Sequence, residues 1–171
     1  MIRLSAAVLA GTLLTGHGAR ADEPKLQGVF VNAAQSDAVI DAAIEATVSH
    51  ASLAARPFVR RRLKTFNATL RRVEIARRGA EFAITLGAST PSVTSPGRPP
   101  VKWTREDGEV FDVVLAWRAA ALLQTVTQGE SRRVNRFELS PDGMHLTLQV
   151  VLTGPQLQVP VQYQLTFQRL Q

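Results

Sequence analysis

The 171-residue chain contains no cysteine. That excludes a disulfide framework, a thiolate-held zinc or iron–sulfur centre, thiol catalysis and a cysteine-linked lipid anchor. Histidine is nearly as scarce: of three, only His50 and His145 lie beyond residue 21. Neither has a second His or an acidic pair at ligand spacing, so no metal or other cofactor is expected. There is no Gly-x-Ser-x-Gly elbow, no phosphate-binding Walker loop and no dinucleotide fingerprint. No catalytic constellation is legible, and the expected class is not an enzyme. Aromatic residues make up 6% of the chain, including a single tyrosine, which gives little material for base stacking. No apolar run reaches the roughly 20 residues a membrane-spanning helix needs.

What is present begins with an export pattern. Met1-Ile2-Arg3 is a short positive start, Leu4 to Leu14 is mostly apolar, and Ala19-Arg20-Ala21 fits a small-x-small cleavage site. Residues 1–21 therefore read as a signal peptide cut before Asp22, and the expected location is periplasmic or secreted. Removing Arg3 and Arg20 lowers the formal net charge from +6 to +4. Residues 22–171 are long enough, at 45% apolar composition for the whole chain, to bury one core without covalent staples.

Two periodicities divide that domain. Over 36–66 the period is helical. Ser36 and Asp37 suit a helix start, and Val39, Ile40, Ala43, Ile44, Thr47 and Val48 form a stripe at i, i+3, i+4 spacing. Pro57 suits the first turn of a second helix, with Val59, Leu63 and Phe66 on one face. From residue 70 the period is two. Val73 and Ile75, then Phe82, Ile84 and Leu86, then Val101 and Trp103 alternate with polar neighbours. The same pattern continues through Phe111 to Trp117, Leu122 to Val126, Phe137 and Leu139, Met144 to Leu152, and Val159 to Phe167. Turn residues separate them at Gly79, Asp107-Gly108, Gly129, Asp142-Gly143 and Gly154-Pro155. Residues 88–100, rich in Ser, Thr, Pro and Gly, read as a surface loop. A short strand at Gly28 to Val31 precedes the helices.

Short turns join antiparallel neighbours, and a long meander manages its edges best by closing. The expected fold is mainly β (α+β). It is an antiparallel meander of about eight or nine strands, a calycin-like barrel or strongly curled sheet, with the helical hairpin packed on it.

The layout resembles the calycin superfamily and its intracellular fatty-acid-binding proteins. The residues that carry the likeness are Gly28-Val29-Phe30 at the first strand, Arg169 on the last, and the meander from Leu122 to Leu170. Phe30 stands where the family has tryptophan, and Val161 where its carboxylate-anchoring arginine precedes the tyrosine. The resemblance implies a ligand-holding barrel with a helical lid.

Two functional surfaces follow from residue type. If Phe137 points inward, alternation turns Asn135 and Arg133 inward as well, and Arg105 shares a face with Trp103. With Tyr163 and Trp117, these are the candidate ligand-binding residues. Arg60, Arg61, Arg62 and Lys64 on the second helix are candidates for contact with an anionic surface, a membrane rather than nucleic acid. The leading expectation is an exported, non-catalytic protein that binds a hydrophobic or amphipathic small molecule of lipid or fatty-acid type. The alternative is an envelope structural or interaction protein whose barrel is simply filled.

Overall fold

A computed structural model describes residues 25–32, 36–67 and 70–171. The signal peptide expected at 1–21 lies outside the described residues. The elements run β1 (Gly28–Val31), α1 (Ser36–Val48), α2 (Arg56–Phe66), β2 (Arg72–Arg78), β3 (Glu81–Leu86), β4 (Ser92–Thr94), β5 (Val101–Thr104), β6 (Val110–Arg118), β7 (Ala121–Gln128), β8 (Ser131–Leu139), β9 (His145–Thr153) and β10 (Val161–Arg169).

All ten strands form one sheet in the order β4-β3-β2-β1-β10-β9-β8-β7-β6-β5, with every ladder antiparallel. β1 makes the closure possible. It pairs with β2 through Phe30 and Val73 and with β10 through Phe30 and Arg169, joining the start of the meander to its end. The two sheet edges, β4 and β5, then face each other. Beyond β4 the Gly97 amide donates to the Leu115 carbonyl of β6 at 2.9 Å, and the Thr90 hydroxyl reaches the Thr104 carbonyl at 3.2 Å. The result is a nearly closed barrel, the calycin-like form of the expected fold. It has one strand more than the eight or nine expected, because Ser92–Thr94 pairs with β3 inside the stretch that reads as a surface loop.

Alternation decides what faces inward. In β10, Val161, Tyr163, Leu165 and Phe167 are buried while Gln162, Gln164, Thr166 and Gln168 are exposed. One end of the barrel is packed solid by Phe30, Phe82, Phe137, Phe167, Leu122, Leu146 and Leu148, all essentially inaccessible to water. At that end Arg169 lies 4.6 Å over the Phe30 ring and donates to the carbonyls of Gly143 and Gln27. Gly28, at φ +154°, leaves room for this guanidinium, and a Cβ there would collide with it.

The helices cover the opposite end. α1 packs on β10, burying Ile40, Ile44, Thr47 and Val48, and the Thr47 hydroxyl donates to the Pro160 carbonyl at 3.2 Å. Val39, expected in the buried stripe, is exposed, because the stripe in contact with the barrel is narrower than the apolar run. α2 starts at Arg56 with Pro57 in its first turn, where the missing N–H costs nothing. It buries Val59 and Leu63 and is tied to α1 by Arg60–Glu45 (2.6 Å) and Lys64–Asp41 (3.0 Å).

Candidate functional site

Between α2 and the barrel lies a cavity of about 450 Å³, within the size range of small-molecule sites. Its apolar wall comes from Val59, Leu63, Ile84, Leu86, Val126 and Leu152. Its polar wall is a continuous hydrogen-bonded girdle built by alternation. On β7 the inward series runs Leu122, Gln124, Val126, and on β8 it runs Phe137, Asn135, Arg133. Pairing sets Gln124 opposite Asn135 and Arg133 opposite Leu152. Two amides therefore enter the barrel side by side.

They satisfy one another in sequence. Asn135 Nδ2 donates to Gln124 Oε1 at 2.7 Å, and Gln124 Nε2 donates to the Ser92 hydroxyl at 2.7 Å. In the other direction Arg133 Nε donates to Asn135 Oδ1 at 2.8 Å. Arg133 Nη2 donates to the Tyr163 hydroxyl at 3.1 Å, and Nη1 donates to the Phe66 carbonyl at 3.0 Å and to Asn67 Oδ1 at 3.1 Å. Tyr163 closes the triangle by donating to Asn67 Oδ1 at 2.9 Å. Asn67 ends α2, its backbone and side-chain N–H groups both donating to the Leu63 carbonyl. Every acceptor around the Arg133 guanidinium is thus a neutral oxygen.

Arg105 is differently placed. It lines the cavity, but its guanidinium is bonded to Asp107 and to Glu109 (2.9 Å) and stacks on Phe66 (4.7 Å) and Phe111 (5.4 Å). The hydrogen bond it donates to Asp107 raises the Arg105 pKa and correspondingly lowers that of Asp107, so both stay charged. Arg105 therefore fastens the β5–β6 hairpin to the end of α2.

Of the residues expected at the site, Trp103, Arg105, Arg133 and Asn135 line the cavity. Tyr163 stands behind Arg133 and reaches the site through it. Trp117 belongs elsewhere, in the packed end, edge-on to Phe82 at 6.0 Å. The Trp103 indole N–H is buried and has no hydrogen-bond partner. Ser92, Gln124 and Asn67, which are not among the residues expected at the site, complete the girdle. Gln124 has a signal, as the polar member of an apolar inward series. Ser92 has none, lying in a stretch that reads as loop.

The basic helix is partly neutralised. Arg60 and Lys64 are paired with Glu45 and Asp41 of α1, and Arg71 lies 3.9 Å from Asp37. Arg62 stacks at 5.8 Å on Phe66. Arg61 has no acidic partner among the described residues. Leu53 and Phe58, at the turn between the helices and at the start of α2, are 79% and 59% exposed. Among the described residues no group of three or more His, Asp or Glu could hold a metal ion.

No family model matches the chain, and no curated protein does. Solved structures do. A fatty-acid-binding protein of Schistosoma mansoni in complex with arachidonic acid matches with a TM-score of 0.54 at 14% identity, over 88% of this chain and 100% of that one. A zebrafish ileal bile-acid-binding protein complexed with cholic acid matches at 0.52 and 14%, over 84% and 98%. An abundant heat-soluble protein of Ramazzottius varieornatus matches at 0.58 and 8%, over 84% and 94%. At these identities the likeness shows the fold alone: a nearly closed calycin-like barrel, similar to that of fatty-acid-binding proteins. The neighbours named for a ligand are binding proteins rather than enzymes.

Proposed function

We propose that the protein is an exported, non-catalytic carrier for one amphipathic molecule of lipid type. Its apolar part would fill the space under α2, and its polar group would meet the girdle. The observation that carries this reading is the contrast inside one barrel. Phe137 and its neighbours fill one end completely, while two and four residues back along the same strand Asn135 and Arg133 border a cavity of about 450 Å³. The cholic acid and arachidonic acid bound by the zebrafish and Schistosoma proteins support it. The Trp103 N–H is unpartnered, as is that of Trp117 in the packed end; of the two, Trp103 lines the cavity, where a ligand oxygen would satisfy it.

Native mass spectrometry of protein purified from its own host should show a bound small molecule. Displacement of a fluorescent fatty acid should give a saturable affinity. Protein that carries nothing and takes up nothing would leave the filled-barrel alternative. Trp103→Phe keeps the ring and removes the N–H. It should weaken binding of an oxygen-bearing ligand by about tenfold without lowering stability.

The exposed Leu53 and Phe58 beside Arg61 and Arg62 fit contact with an anionic membrane during transfer, apolar side chains entering the interface and cations meeting headgroups. Co-sedimentation with anionic liposomes should fall when Arg61 and Arg62 are neutralised together. Unchanged sedimentation would remove this surface from the mechanism.

A further inference from the structure

Among the described residues Arg133 is the one cavity-lining cation bound to the lid by neutral oxygens. Its partners are the Phe66 carbonyl at the end of α2, Asn67 Oδ1 just beyond it, Asn135 Oδ1 and the Tyr163 hydroxyl. These use four of the five N–H donors of a guanidinium, leaving one on Nη2. A carboxylate that docks in two-pronged fashion must therefore displace a neutral acceptor. It is the stronger partner, since charge-assisted bonds are roughly twice as strong as neutral ones.

Two displacements are open, and their costs differ. Taking Nε would strand Asn135, which is 1% exposed and whose other partner, Gln124, is already bonded onward to Ser92. An orphaned buried amide is expensive. Taking an Nη1 hydrogen instead releases the Phe66 carbonyl, which lies at a helix end and can turn to water, while Asn67 Oδ1 keeps its bond from the Tyr163 hydroxyl. The cheaper route passes through the lid.

We propose that Arg133 is a lid latch opened by carboxylate ligands. The guanidinium holds the last turn of α2 down until a ligand carboxylate takes its Nη1 edge, whereupon the Phe66 carbonyl lets go while Asn67 keeps its bond from Tyr163. A ligand with the same chain and a neutral hydroxyl head uses the free Nη2 hydrogen or the Trp103 N–H and leaves the latch shut. The lid thereby reports the charge of the cargo. This inference rests on the carrier reading above and adds its regulation.

Hydrogen exchange of the α2 segment, followed by mass spectrometry with saturating oleate or oleyl alcohol, tests it without any variant. Oleate should speed exchange in the turn from Leu63 to Asn67 on the order of tenfold, the worth of a lost charge-assisted contact. Oleyl alcohol should leave it unchanged or slower. Arg133→Gln should show the fast rate with no ligand and no further response to oleate. If both ligands bind and oleate slows exchange, or both act alike, the latch is wrong while the carrier stands. If neither binds, the carrier reading and the latch fall together.

Discussion

The two ends of the barrel are built from the same strands by opposite chemistry. In β8, Phe137 is fully buried among Leu122 and Leu148, its cross-strand partners. Two residues back, Asn135 is equally buried but bonded on both sides. In β10, Phe167 and Leu165 give way to Tyr163. Apolar side chains can collapse on one another from any direction, so the packed end needs only volume. Amides and a guanidinium need partners at fixed angles, and satisfying them in a chain holds the walls apart. The polar girdle is what keeps the second end from filling as the first does.

The largest effect should come from the packed end. Phe137→Ala removes a ring from the centre of that layer and should cost about 3–5 kcal/mol in urea unfolding. The folded variant should still bind ligand, because the cavity lies beyond Asn135. A loss under about 1 kcal/mol would mean that this end is loosely filled and the two ends alike.

Next is the girdle. Asn135→Ala leaves Arg133 Nε and Gln124 Oε1 without their partner and should cost about 1–3 kcal/mol. A cycle with Gln124→Leu separates bonding from packing. Once Gln124 is apolar, removal of Asn135 should cost less, with a coupling of about 0.5–3 kcal/mol. Strict additivity would show that the amides are neighbours without being a network.

Much of this contrast is legible in the sequence. Period-two alternation and Asp-Gly turns mark most strands, and Arg133 and Asn135 follow from Phe137 by parity alone. What escaped lacked local signals. β4 is three residues long, in a Ser- and Pro-rich stretch, and exists because β3 offers it an edge. Gln124 and Ser92 become partners only when the barrel curls. The acids that neutralise Arg60 and Lys64 lie a helix away, so counting charges along α2 overstated its basicity. The β6–β7 hairpin turns through Ala119 at φ +51°, where a Gly or Asn would have announced it. Ala119→Gly should relieve that conformation and stabilise the packed end by about 0.5 kcal/mol, the left-handed penalty less the entropy glycine adds. An equal destabilisation would show the turn unstrained.

The smallest effect belongs to the lid over the cavity. The Arg60 hydrogen bond, opposed by slight desolvation and aided by the charges of Arg60 and Lys64, holds the Glu45 carboxyl below its ordinary value of 4.5. A folded-state pKa below the unfolded one contributes stability that is present above the unfolded value. It is lost as pH falls through the folded one. The pair is exposed, its side chains 39% and 48% accessible, so the contribution is small and screened. Glu45→Gln should thus lower the urea midpoint slightly at pH 7 and low salt. The difference from the parent should shrink as the pH drops below about 4.5, and it should disappear near 1 M salt. Meanwhile the penalty of Asn135→Ala, which involves no titrating carboxylate and is buried, should persist across the same range of pH and salt. If the Glu45 difference instead survives high salt, the lid is held by buried electrostatics like the girdle, and the contrast between its surface and the barrel interior is lost.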